Sequence, residues 1–197
     1  MTDNIDVQVY FNFRCPYCYL ASKSLFTIFD DFYARMVWRP LGGYHGRASA
    51  AQAKIKQRVS RQDVERHCRK MGIRFQPPPA GTDPTKAAIL SLVAENEGVL
   101  QPYIQKVMQA AWANGADIGD VEVLLQVGED VGLSRGDVLR GLEDEDLGVQ
   151  LEQNWQTAQT DGVFGVPSFI IDDQIFWGND RLNFLFDYLR ELRLARS

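Results

Sequence analysis

Two cysteines, Cys15 and Cys18 in the run Phe13-Arg14-Cys15-Pro16-Tyr17-Cys18-Tyr19, have the types and spacing to do chemistry. A cysteine at the start of a helix sits beside unpaired backbone N–H groups and the positive end of the helix dipole. Both stabilise thiolate over thiol. Cys15 is therefore the expected nucleophile, and iodoacetamide should label it before the other cysteines at neutral pH. Cys18, one helical turn on, can attack a mixed disulfide formed on Cys15. Residues i and i+3 of a helix are also close enough to be bridged without a large backbone change.

Other uses of these side chains are weaker. A zinc site would need two more ligands, and only His45, His67 and Cys68 remain, none paired at ligand spacing, so no metal is expected. Cys68 falls on the apolar stripe of a helix, where a cysteine behaves as a small hydrophobe. Ordinary surface roles account for His45, in a glycine-bearing loop, and for His67 on a helix face. Lys54, Lys56, Arg58 and Arg61 are most simply a solvated face, with Lys56 kept as a candidate contact for an anionic ligand. The run Glu143-Asp144-Glu145-Asp146 reads as a junction that places acids at a helix start.

The elements that must hold Cys15 can be read on either side of it. Ile5, Val7, Val9 and Phe11 alternate with Asp6, Gln8 and Tyr10, the period of a strand with one face toward a core. Cys15-Pro16 then opens a helix, because the missing proline N–H costs nothing at the first helical position. Apolar residues at helical spacing carry that helix to about Asp31. Met36-Val37-Trp38 reads as a second strand, broken by Pro40-Leu41-Gly42-Gly43. From about Ala48 to Gln159 the pattern is helical. Ser60 and Asp63 resemble a capping box ahead of Val64, Cys68 and Met71. Gln76-Pro77-Pro78-Pro79 forms a linker, and Asp83-Pro84 starts the next helix. Helices follow over Gln101–Ala113, Asp120–Val131, Ser134–Leu142 and Leu147–Gln159. Ser168-Phe169-Ile170-Ile171 and Gln174-Ile175-Phe176-Trp177 form a hairpin around Asp172-Asp173. Asn179 or Asp180 should then cap a last helix carrying Leu182, Leu185, Leu189 and Leu192. The expected fold is α/β: a thioredoxin-like domain at 1–47 and 160–197, split by a helical insertion at 48–159.

With 197 residues, 45% hydrophobic content and a net charge of −5, the chain suits one globular protein. It is not built to neutralise phosphates or anionic lipid, so neither nucleic acid nor membrane is an expected partner. The acidic, polar N-terminus shows no signal peptide, and no run of residues would span a bilayer. The expected compartment is the cytoplasm, where thiols are kept reduced.

The order of elements, the Cys-x-x-Cys pair and Gly165-Val166-Pro167-Ser168 before a hairpin resemble the DsbA branch of thioredoxin-fold proteins. Within it, Gly162-Val163-Phe164-Gly165-Val166-Pro167-Ser168-Phe169 followed by Phe176-Trp177-Gly178-Asn179-Asp180-Arg181-Leu182 is similar to 2-hydroxychromene-2-carboxylate isomerases and kappa-class glutathione transferases. The resemblance implies a cis-proline at Pro167 facing the thiol, with Val166 pairing the cysteinyl backbone of glutathione. It also implies that Trp177, Asn179 and Asp180 hold the rest of the tripeptide, with Pro16 and Tyr17 beside the sulfur. Those enzymes generally carry serine at the Cys15 position and no cysteine at the Cys18 position. The Cys15-Pro16-Tyr17-Cys18 sequence is the one typical of glutaredoxins.

Two activities therefore stand open. In the first, glutathione is co-substrate in an isomerisation or transfer on a small electrophilic, aromatic molecule. In the second, Cys15 and Cys18 run dithiol-disulfide exchange on a disulfide substrate. A helical interaction protein with a relic thioredoxin core ranks below both. A homodimer is compatible with the sequence, which does not select an oligomeric state.

Overall fold

The computed structural model describes residues 4–46 and 50–196, without the side chains of 50–54 and 57. The junction expected at 47–48 and the Lys54 side chain therefore lie outside the described residues. Strand β1 (Ile5–Phe11) is followed by helices α1 (Pro16–Ala21) and α2 (Thr27–Asp31), then by strand β2 (Ala34–Pro40). Six helices come next: α3 (Ala50–Met71), α4 (Thr85–Asn96), α5 (Leu100–Met108), α6 (Val121–Asp130), α7 (Arg135–Glu143) and α8 (Glu145–Thr160). A π-helical turn, Gln109–Ala113, continues α5. Strands β3 (Ser168–Ile171) and β4 (Gln174–Trp177), a 3-10 turn at Asn179–Arg181 and helix α9 (Leu182–Glu191) complete the order.

The sheet runs β2-β1-β3-β4, with β1 parallel to β2 and the other neighbours antiparallel. Val9 pairs with Trp38 on one side and Phe169 on the other, so β1 is an inner strand. This corrects the alternation expected for β1. Tyr10 is buried like Val9 and Phe11 on either side of it, because this end of the inner strand is covered on both faces, while Asp6 near its start stays exposed. Its hydroxyl donates to Asp161 Oδ2 at 2.6 Å, just beyond α8. Burial, then the carboxylate, push this phenol well above the usual tyrosine pKa. On β2, Trp38 packs against Phe11 with ring centres 5.2 Å apart and donates Nε1–H to Ser91 Oγ on α4 at 2.9 Å. Buried side chains of the strands and of α4 to α8 form one continuous cluster. Each large apolar side chain in it contributes about 1.5–3 kcal/mol.

Four helical expectations are corrected. The helix opened by Pro16 stops at Ala21, where Ser22 Oγ donates to the Tyr19 carbonyl at 2.7 Å and i→i+3 turns replace the α ladder. Serine hydroxyls that bond local carbonyls compete with helix in this way. Ser60 and Asp63 start no helix but lie inside α3, and Met71 is exposed. Neither Asn179 nor Asp180 caps α9. The backbone swings through Gly178 at φ +108° into the 3-10 turn, which leaves Arg181 at the cap position, where its side chain makes no capping bond. Leu182, Leu185 and Leu189 are buried, but Leu192 lies past the end of α9 and is exposed. Elsewhere the acidic junction ends α7 and starts α8, with Asp144 accepting from the Asp146 N–H at 2.9 Å.

Candidate active site

The site forms where the C-terminal ends of β1 and β2 meet the start of β3. The ladder of β1 ends at Phe11, and Asn12 turns the chain toward α1. Asn12 is fully buried, and its side chain and carbonyl shape this turn. Its Oδ1 accepts from the Arg14 N–H at 2.9 Å, and its carbonyl accepts from the Cys15 N–H at 2.9 Å. Its amide donates to the carbonyls of Gly43 at 3.3 Å and His45 at 3.1 Å. One side chain thus ties the reactive loop to residues 43–45. Asn12 was not expected from the sequence; a polar residue closing an apolar strand just before the cysteine run was the signal available.

Cys15 occupies the N-cap position of α1 in extended conformation, with Pro16 next. Its Sγ donates to the Val166 carbonyl at 3.2 Å. The Val166–Pro167 bond is cis, and β3 begins at the next residue, Ser168. Gly178 N–H donates to the Pro167 carbonyl at 2.9 Å, and Ser168 Oγ donates to the Gly165 carbonyl at 2.7 Å. Gly46, at φ +66°, brings residues 41–46 against the same edge, since a Cβ there would stand 2.8 Å from Val166 Cγ1. Cys15 is 8% exposed, whereas Cys18 is at 0% and Cys68 at 2%, so Cys15 is the most accessible of the three residues. All three cysteines are unbridged. Burial pushes the Cys68 thiol up, partly offset by Lys23.

Tyr17 is half-buried and donates its hydroxyl to Asp63 Oδ2 on α3 at 3.0 Å. Asp63 also lies 3.9 Å from His67 Nε2. Burial, then the Asp63 bond, push the Tyr17 phenol up to about 12. The mid-helix position of Asp63 thus gives it a partner across the site rather than a cap to make. Lys56 lies two turns before Asp63 on α3 and is exposed; no contact within the described residues draws it to Cys15.

The remaining candidates flank Val166. Trp177 is half-exposed and its ring covers Gly165, so closely that a Cβ there would stand 2.5 Å from Nε1. Phe164 packs beside it, ring centres 4.6 Å apart. Asn179 is half-buried in the 3-10 turn. Asp180 is exposed and pairs with Arg181 Nη1 at 2.6 Å, so its carboxylate already has a partner. The structure thus brings Cys15, Cys18, Pro16, Tyr17, Val166 and Pro167 together, sets Trp177, Asn179 and Asp180 along one flank, and leaves Lys56 on the surface. His45 differs from its expected surface role, stacking on Trp155 with ring centres 4.8 Å apart. Among the described residues no group of three His, Cys, Asp or Glu side chains is arranged to hold a metal. No helix among them is long and apolar enough to cross a membrane.

A family model described as the DSBA-like thioredoxin domain matches residues 6–190. A 2-hydroxychromene-2-carboxylate isomerase from Sphingobium xenophagum is 31% identical over 200 residues, covering 96% of this chain and 99% of that protein. Among solved structures, one of a 2-hydroxychromene-2-carboxylate isomerase superposes with a TM-score of 0.82 at 23% identity, covering 95% of this chain and 96% of that one. The cytosolic disulfide reductase DsbM from Pseudomonas aeruginosa, solved with GSH, superposes with a TM-score of 0.70 at 18% identity, covering 94% of this chain and 100% of that one. The two superpositions show the shared fold, and the matches in sequence run from β1 to α9. The chain belongs to the DSBA-like thioredoxin domain family, as an enzyme related to the 2-hydroxychromene-2-carboxylate isomerases within it.

Proposed function

We propose that this enzyme uses glutathione to act on a small electrophilic, aromatic substrate, as an isomerase or transferase. One observation carries the reading: the main chain of Val166, ahead of a cis-proline, lies against the Cys15 sulfur. Among the described residues the Val166 N–H has no hydrogen-bond partner. That edge can pair with the cysteinyl backbone of an extended thiol peptide and bring its sulfur next to Cys15. Trp177, Asn179 and Asp180 then line the path of the remaining peptide, with Pro16 and Tyr17 beside the sulfur. The chemistry is addition and release. The glutathione thiolate adds to the electrophilic carbon, and the double bond becomes a single bond that rotates. The same thiolate then leaves, so glutathione is regenerated and nothing is oxidised. Cys15 Sγ–H donates to the attacking sulfur, in the place of a serine hydroxyl. This reading implies the cytoplasm as compartment, and assigns the site to a thioredoxin-like part, 1–47 and 160–197, with 48–159 as an insertion.

A second reading is favoured by Cys18, buried one turn below Cys15 and unbridged. The Cys15 thiolate attacks a disulfide and expels one thiol, and Cys18 then attacks the mixed disulfide and expels the other. This leaves a Cys15–Cys18 disulfide for an external thiol to reduce. Cys15→Ser separates the two. Under the first reading the variant still binds glutathione and still isomerises, while disulfide exchange disappears. If the variant loses every activity and glutathione is found on the wild type only as a disulfide, by mass and by calorimetry, the second reading stands.

A further inference from the structure

The π-helical turn at Gln109–Ala113 lies far from Cys15 in sequence yet reaches the loop that carries it. Within this turn Trp112 is buried and donates its Nε1–H to the carbonyl of Phe13 at 2.9 Å, across 99 residues. Phe13 lies past the last rung of β1, so its carbonyl has no ladder partner and takes this one instead. The other polar end of the same peptide unit, the Arg14 N–H, is held by Asn12 Oδ1 at 2.9 Å. Both ends of the Phe13–Arg14 peptide plane are thus tied to buried side chains. The Trp112 ring is fixed in turn. It stacks on Phe75 with ring centres 6.0 Å apart, and its carbonyl accepts from the Gln76 N–H at 2.7 Å. The Arg14 guanidinium lies 5.3 Å from the ring centre and donates to the Pro79 carbonyl at 2.9 Å.

A buried tryptophan N–H needs an acceptor, and any core carbonyl would meet that need. Here the acceptor is a carbonyl of the reactive loop itself, two residues ahead of Cys15. The ring arrives through a π turn, an irregularity that recurs where helices serve a site. We infer that Trp112 is a positioning residue: through Phe13 it holds Cys15 Sγ against the Val166 edge, so that the sulfur meets an incoming sulfur in line. The inference rests on Cys15 as the reacting thiol at that edge. Phenylalanine at 112 keeps the stacking on Phe75 and Arg14 and deletes the single bond to Phe13, leaving the plane held at one end.

The test compares two reactions of the full-length chain. In the first, Cys15 attacks glutathione disulfide, forming the Cys15–glutathione mixed disulfide and releasing one glutathione thiolate, a step that demands alignment. In the second, Cys15 is alkylated by iodoacetamide, which needs no seat. Trp112→Phe should slow the first about tenfold while the second stays within about twofold, because small misplacements of a reacting atom act on aligned reactions. Phe75→Leu removes the stacking but keeps the bond to Phe13, and should lower the melting temperature without changing the ratio of rates. If Trp112→Phe fails to fold, 3-benzothienylalanine incorporated at position 112, which keeps the bicyclic ring but carries sulfur in place of the N–H, decides, and should slow the first reaction about tenfold with the second unchanged. An unchanged ratio in the folded variant overturns the inference. A wild type with no preference for glutathione disulfide over hydroxyethyl disulfide undoes the glutathione reading alone. The Trp112 inference is then judged on the hydroxyethyl rate, where the same tenfold fall is expected.

Discussion

Replacing Tyr17 by phenylalanine should loosen the tie between α1 and α3 by a predictable amount. The variant loses a 3.0 Å hydrogen bond from the phenol to the Asp63 carboxylate and keeps the ring. Hydrogen bonds to charged groups contribute about 1.5–3 kcal/mol when sheltered. The Asp63 side chain is 40% exposed, so water takes up part of the loss and about 1 kcal/mol remains. For a chain of 197 residues that is a fall in Tm of about 2–4 °C. The pH dependence has a definite sign. Burial and Asp63 raise the folded phenol to about 12, against an ordinary value of 10.0. Below pH 10 both folded and unfolded tyrosine keep the proton, and the full difference between wild type and variant is present. Between pH 10 and 12 the unfolded state releases its proton first, so the wild type loses stability with rising pH and the variant gains on it. Thermal unfolding of both proteins from pH 7 to 11 measures this directly. Equal melting temperatures at pH 7, or a gap that widens above pH 10, would refute the reasoning.

Two further perturbations bear on the flank of the site. Asp180→Ala should weaken glutathione binding about threefold to tenfold by calorimetry, less than a sheltered ion pair would suggest, because the carboxylate is exposed and shared with Arg181. Stability should change by less than about 0.5 kcal/mol, and unchanged affinity would remove Asp180 from the site. Gly165→Ala places a Cβ 2.5 Å from Trp177 Nε1 and must displace the ring. Since Trp177 is half-exposed it can swing outward, so the loss of stability should be less than about 1 kcal/mol. Glutathione affinity should fall and tryptophan fluorescence should shift; unaltered affinity with a shifted spectrum would mean that Trp177 does not touch the peptide.

Local pattern alone carried the reading of this chain a long way. The alternation of Ile5 to Phe11 marked β1, Pro16 marked the start of α1, and Asp120 and Ser134 marked helix starts that their side chains do cap. These features depend on neighbours within a few residues, which a sequence displays. The Cys15 and Cys18 pair was legible for the same reason, since its spacing is a helical turn. Tertiary structure decided the rest. Tyr10 faces inward because its end of β1, an inner strand, is covered on both faces, a property of sheet order and not of alternation. Asp63 sits in a run that reads as a helix start, yet its carboxylate serves Tyr17 across 46 residues. Asp180 matches a ligand-binding run, but only packing showed that Arg181 shares its charge. Trp112 carries no local signal, because the carbonyl it holds lies on another element. Helix and strand periods follow from the backbone, residue by residue. Which buried polar groups meet depends on how elements separated by scores of residues pack, and pairings of that kind hold Cys15 against Val166.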